Sequence, residues 1–375
     1  MNIPFNKPHL AGKETEYIKE AVASGKISGD GMFTKKCHQF FQRRYRFAQT
    51  LLTTSCTDAL EMAAILCDIH PDDEVIAPSY TFVSTVNAFV LRGARIVFSD
   101  SEKDTPNIDV STIESLVTKK TKAIVPVHYA GVACDMDSLL SVARRHKLFV
   151  VEDAAHAIDS YYKGSPLGSL GHFGAFSFHE TKNIISGEGG MLVVNDADFE
   201  KRAEIIREKG TNRSAFFRGE VDKYGWVDIG SSFLPSEIVA AFLYAQLEHL
   251  EEIQSRRKSI WQNYYTSLKH IEEKGLINLP AIPEYATNNG HMFYIICESF
   301  EIRSKLIEFL KTRNILAVFH YFPLHNSPYY SGRHDGRSLP NATHYSDCLL
   351  RLPMYVDLTE KEQDFIIHAV NQYYS

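Results

Sequence analysis

The stretch VVEDAAHA, Val150 to Ala157, decides how the chain folds. An apolar run that starts at Leu148 ends here in two acids, Glu152 and Asp153, and then in small residues. A strand without polar alternation belongs inside a parallel sheet covered on both faces. A carboxylate at the end of such a strand is costly unless a positive partner meets it. Taken alone, Asp153 reads as a helix N-cap, a frequent use of Asp. Its surroundings decide between the two.

On either side, β-branched or aromatic runs at residues 75–77, 95–99, 123–128, 148–152, 174–178 and 191–194 suggest strands. Amphipathic stretches at residues 58–67, 83–91, 111–117, 136–146 and 199–207 lie between or beside them. The alternation predicts an α/β fold with a mostly parallel sheet, whose ligands sit beyond the carboxyl ends of the strands. Residues 235–269 read as one long helix without Gly or Pro inside it. It leads into further strands at 292–297 and 317–321 and helices at 303–312 and 360–373. The expected division is a large domain, residues 1–250 with the N-terminal segment included, and a smaller α/β domain, residues 251–375. The polar, Gly-bearing loops 224–234 and 326–338 are candidates for mobile or subunit-crossing segments.

With 44% hydrophobic and 23% charged residues, the 375-residue chain can bury a sizeable core. Its net charge of −6 argues against nucleic acid as the main partner. The six cysteines form no C-x-x-C pair, which suits buried thiols of a reducing compartment better than disulfides or zinc. The opening MNIPFNKPHL lacks a signal-peptide pattern, and no apolar run approaches the ~20 residues that span a bilayer. A cytoplasmic protein without membrane contact is expected.

The chemistry is read from FSFHETKNIISGEGG, Phe176 to Gly190. A strand delivers Ser177 and His179 to its end, Lys182 follows, and the glycines turn the chain into the next strand. Most lysines are solvated surface charges. This one lies one strand–loop step after Asp153. A cofactor such as pyridoxal phosphate (PLP) needs both groups, an anion at its pyridine nitrogen and an amine that forms a Schiff base with its aldehyde. Upstream, LLTTSCTDALEMA opens a helix with Ser55, Cys56 and Thr57, and free N–H groups at a helix start bind phosphate. In APSYTFVSTVNA, Phe82 or Tyr80 can cover one face of a flat ring, with Ala155 beneath the other.

These residues together resemble the DegT/StrS-type sugar-nucleotide aminotransferases, over essentially the whole chain. The motifs are SCT at 55–57, PSYTF at 78–82, EDAAH at 152–156, FSFH at 176–179 with Lys182, GEGG at 187–190, HMFY at 291–294 and PLH at 323–325. GDGMFTKKC at 29–37, PVHYAGVACDMD at 126–137, REKGTNRS at 207–214 and FFRG at 216–219 resemble the subgroup forming dTDP-4-amino-4,6-dideoxygalactose. The resemblance implies a type I PLP-transferase fold and a homodimer with its sites at the subunit interface. It implies Lys182 as the catalytic, cofactor-bearing residue and Asp153 at the pyridine nitrogen, with His156 near the ring hydroxyl. Ser55, Cys56, Thr57 and Ser177 would hold the phosphate, and Phe82 would stack on the ring. Ser232 stands where many relatives carry the Asn of a G-x-N-x-R segment that reaches the neighbour's cofactor; the Arg of that segment is missing here. His320, Tyr321 and His325 would face the sugar.

The implied partners are glutamate and a dTDP-linked keto sugar aminated at C4, with a role in lipopolysaccharide or other cell-surface polysaccharide synthesis. Alternatives are a glucose-configured product, amination at C3, or a PLP-binding regulator. A dehydratase of the same family would carry His in place of Lys182. A nicotinamide oxidoreductase would show G-x-G-x-x-G after the first strand, which is missing. No metal site is expected, and His179 and His291 read as structural.

Overall fold

The apolar runs pair into one central sheet because each is too short and too β-branched to form a helix. The computed structural model describes residues 1–375. The sheet contains β1 (Gln49–Thr53), β2 (Glu74–Pro78), β3 (Arg95–Ser99), β4 (Thr121–Ile124) and β5 (Phe149–Asp153). A two-residue hairpin follows, β6 (Tyr161–Tyr162) with β7 (Ser165–Pro166), before β8 (Phe173–Ser177) and β9 (Gly190–Val194) rejoin the sheet. The order is β1-β9-β8-β5-β4-β2-β3. Every neighbouring pair is parallel except those made by β9, which runs against both β1 and β8. The expected strand over 123–128 stops at Ile124. Pro126 has no N–H to donate, and pairing resumes only as a bridge between Val127 and Asp153.

Helices cover both faces. They are α1 (Glu14–Ala23), α2 (Met32–Tyr45), α3 (Cys56–Leu66), α4 (Ser84–Val90), α5 (Val110–Leu116) and α6 (Met136–His146), then α7 (Glu200–Arg207) and α8 (Arg213–Phe217). Successive strand residues point to opposite faces. Leu51, Val75, Val151 and Leu192 therefore enter the core under α3, α4 and α7. Leu52, Ile76, Val150 and Met191 enter the core under α2 and α6. The long helix expected over 235–269 is two helices, α9 (Glu237–Glu248) and α10 (Leu250–Glu273), broken at His249 (φ −107°, ψ 14°). The break lets α9 pack on α1 and α2 while α10 turns toward the C-terminal layer.

That layer is an antiparallel sheet in the order β10-β11-β13-β12. Its members are β10 (Ile277–Asn278), β11 (Phe293–Cys297), β12 (Val318–Phe319) and β13 (Leu349–Leu352), with α11 (Phe300–Lys311), α12 (Pro340–Cys348) and α13 (Glu360–Tyr373) against them. The N-terminal segment departs from expectation. Ile3 is buried in the C-terminal core and bridges to Ile315, so the first residues cross to this layer. The chain thereby brings residues 5 and 6 to the cavity between the two sheets.

Candidate active site

A cavity of about 840 Å³ opens where β5 and β8 end. The alternation of β5 explains what its two acids do. Glu152 points away from the cavity, with 0% of its surface exposed. Its Oε1 accepts N–H bonds from Leu170 and Gly171, both 2.7 Å, and its Oε2 accepts one from Gly168 at 2.8 Å. The His128 Nε2 lies 2.9 Å from the same Oε2. Glu152 is thus an anchor that fixes the loop between β7 and β8. Glu152→Gln would set an amide NH₂ against donors on one side, and we expect it to destabilise the fold by about 3 kcal/mol. Urea unfolding measures this, and an unchanged midpoint would remove Glu152 from that role.

Asp153 faces the cavity instead. Its Oδ2 accepts a bond from the Thr85 hydroxyl at 2.7 Å and its Oδ1 one from the Ala155 N–H at 3.1 Å. Burial pushes its pKa up, while those hydrogen bonds, Lys182 and His128 pull it down. No lysine or arginine pairs with it directly. A buried carboxylate in this state invites a cationic ligand group.

Lys182 lines the same cavity, in the turn after β8, with its N–H bonded to the His179 carbonyl. Burial lowers its pKa to about 8; Arg351 pushes the same way, and Cys56 and Asp153 push against it. A substantial fraction of neutral amine therefore exists near neutral pH, which a nucleophile or proton carrier needs.

The third wall is the start of α3. The Ser55 hydroxyl oxygen accepts the N–H of Asp58 at 3.0 Å as N-cap, and the Thr57 hydroxyl donates to Ser84 at 2.8 Å. The N–H groups of Cys56 and Thr57 have no partner within the helix, the usual state of a first turn. Register places Thr53, Gly190 and Ser177 side by side across β1, β9 and β8. A Cβ at Gly190 would collide with the Ser55–Cys56 backbone, so only glycine lets β9 approach this closely. The result is a small, donor-rich notch that fits a phosphate.

His156 is buried, and its Nδ1 accepts the Ala130 N–H at 3.3 Å, leaving Nε2 to carry the proton. Ala130 adopts φ 56°, a left-handed conformation that costs a residue with a Cβ roughly 1–2 kcal/mol. His291 stacks on His156 with ring centres 4.2 Å apart, and its Nδ1 bonds the Asn183 Oδ1 at 2.8 Å. Burial, with Lys182 and Arg351 nearby, holds both imidazoles far below their usual pKa and neutral.

Phe82, 56% exposed, stands at the cavity mouth 6.1 Å from Tyr321. Tyr80, the other stacking candidate, is a core residue that donates its hydroxyl proton to the His320 carbonyl. His320 and Tyr321 line the cavity, with the His320 Nδ1 bonded to the Tyr129 hydroxyl at 2.7 Å. Two expected residues are not in its wall. His325 turns its Nδ1 to Ser79 at 2.6 Å and lies against His334, because Leu324 takes the cavity-facing place. Ser232 is exposed on the segment bridged to Glu208, outside this chain's own cavity.

Thr85 and Arg351 were missed by sequence reasoning. Thr85 lay hidden inside a helical pattern. Arg351 sits on β13, a four-residue strand whose one clue is a single charge in CLLRLPMY.

An anion at one end, a reactive amine at the other and a phosphate notch at the side fit PLP. When bound, PLP supplies an electron-poor ring that stabilises negative charge on the carbon losing its proton. The comparisons agree with the geometry. The DegT/DnrJ/EryC1/StrS aminotransferase family matches residues 8–371. The chain is 34% identical to the Bacillus subtilis spore coat polysaccharide biosynthesis protein SpsC, over 98% of this chain and 96% of that one. It is similar to Spr1654 of Streptococcus pneumoniae in its PMP-form, with a TM-score of 0.92 and 28% identity over 100% and 99% of the two chains. The PLP-form of Spr1654 gives a TM-score of 0.92 and 27% identity over 100% and 99%. With Lys182 and Asp153 facing one cavity and the family matching nearly end to end, the chain belongs to the DegT/DnrJ/EryC1/StrS aminotransferases and is a PLP-dependent enzyme of that family.

Proposed function

We propose that this enzyme takes an amino group from glutamate and delivers it to C4 of dTDP-4-keto-6-deoxyglucose, giving the galactose-configured 4-amino sugar for a cell-surface polysaccharide. The observation that carries the reading is the shared cavity. Lys182 and Asp153 converge at its inner end, while the exposed rings of Phe82, Phe319 and Phe322 frame a mouth suited to a sugar nucleotide. SpsC, a relative whose name ties it to a spore coat polysaccharide, supports a cell-surface role.

In this reading the Lys182 Nζ would hold the cofactor, and its amine would take the proton from the donor's α-carbon. Asp153 would keep the opposite end charged, and the start of α3 with Ser177 would hold the phosphate. His156, with its proton on Nε2, would donate to the ring hydroxyl. Phe82 would pack on the ring, and His320 with Tyr321 would face the sugar. Phe217, Trp226, Val227 and Ile229 expose apolar surface, Trp226 to 84%, close in sequence to Ser232. Apolar exposure on this scale supports a homodimer in which Ser232 serves the other subunit's site.

The test is incubation with glutamate and dTDP-4-keto-6-deoxyglucose, with proton coupling constants assigning the product. An axial amine at C4, with small couplings to H4, is expected. Large couplings would select the glucose-configured product, amination at C3 the other positional reading. No amino sugar at all from this substrate would overturn the proposal.

A further inference from the structure

Arg351 has no role in the chemistry described so far. It stands on β13 and lines the cavity that contains Lys182. Its Nε is buried without a hydrogen-bond partner, and its Nη2 makes one long bond, 3.4 Å, to the Phe319 carbonyl. Its guanidinium lies 4.6 Å from the centre of the Phe5 ring, a neutral contact. No carboxylate pairs with it, although arginines elsewhere in the chain, such as Arg202 and Arg207, have acidic partners. A half-buried cation with unused donors is costly to keep unless a ligand completes it, and the planar guanidinium fork matches a carboxylate in two-point geometry.

We propose that Arg351 receives the α-carboxylate of the amino donor, and so determines that the donor is an amino acid; this rests on the glutamate-to-sugar reading above. Position favours a carboxylate over the diphosphate of a sugar nucleotide. Arg351 lines the same cavity as Lys182, His156, His291 and His320, which puts it beside the reacting centre. The donor's α-carboxylate is bonded directly to the carbon whose proton Lys182 removes. A diphosphate is separated from C4 by the width of a pyranose ring, and the open side toward Phe319 and Phe322 suits it better.

The two half-reactions separate the possibilities. In Arg351→Gln, the rate at which glutamate converts the bound cofactor should fall about 10²- to 10³-fold. Binding of glutarate, a dicarboxylate without an amine, should weaken in parallel by calorimetry. Amination of the keto sugar by enzyme already carrying the amino form of the cofactor should change by only a few-fold, through the field of Arg351 on Lys182, because the keto sugar has no carboxylate for Arg351 to hold. Arg351→Lys, which keeps charge but loses the fork, should fall between the two and serves if the Gln variant does not fold. Wild-type response to glutamate and unchanged glutarate binding in the variants would overturn the role of Arg351 alone, as would a loss confined to the sugar half-reaction. A wild-type enzyme that ignores glutamate would overturn the underlying reading and this inference with it.

Discussion

Lys182→Arg is expected to abolish amino transfer, with a loss of more than about 10⁴-fold, the upper end of what acid–base catalysis alone supplies. The variant keeps a positive charge in the cavity, so electrostatics and folding change little. It loses a group that can shed its proton near neutral pH, because arginine stays protonated throughout the accessible range. The wild-type side chain carries a pKa of about 8, lowered first by burial. The neutral amine is the reactive form, so capture of the cofactor by protein freed of it should rise with pH and level off above about 8. An ordinary lysine would keep rising two units further. Stopped-flow absorbance of cofactor capture across pH measures this, and a rate still climbing at pH 10 would contradict the assigned environment. In Lys182→Arg the absorbance of the lysine-bound cofactor should be missing even when the cofactor binds.

Asp153→Asn is the second large effect, and its cause differs. The amide is almost the same size; its oxygen can keep the bond from the Ala155 N–H while its NH₂ donates to the hydroxyl oxygen of Thr85, which reverses its role in that bond. What disappears is the charge that would keep the pyridine nitrogen protonated. Losing one member of a buried ion pair costs about 3–5 kcal/mol, or roughly 10²- to 10³-fold or more in rate or affinity. We expect turnover to fall by this factor while the melting temperature of the cofactor-free protein rises slightly, since burial penalises this carboxylate when nothing cationic meets it. Turnover within a few-fold of wild type would remove Asp153 from the mechanism. The opposite sign on stability separates it from its neighbour Glu152, whose loss should destabilise the protein whether or not cofactor is present.

Much of this site was legible because it depends on local order. Asp153 and Lys182 each follow a strand whose apolar run is visible in the sequence, and adjacent parallel strands bring their ends together. Ser55, Cys56 and Thr57 were legible as a helix start, and Gly190 as a turn, although its reason, the close approach of β9 to α3, is tertiary. What could not be read was set by contacts between distant segments. Arg351 belongs to a four-residue strand recognisable only by its pairing with β11 and β12. Ile3 reaches the C-terminal core across more than three hundred residues. His325 was displaced from the cavity by one step of chain, with Leu324 facing inward and His325 turned to Ser79. The apparent single helix over 235–269 broke because its halves pack on different layers, a demand that periodicity does not record.

The most direct measurement concerns which amine carries the cofactor. Borohydride treatment of the holoenzyme fixes PLP to the nitrogen that holds it, and peptide mass mapping locates the adduct. A single modified peptide bearing the label on Lys182 is the predicted result. Label on any other lysine, or none despite stoichiometric cofactor, would mean that the cavity between Lys182 and Asp153 is not where the chemistry occurs.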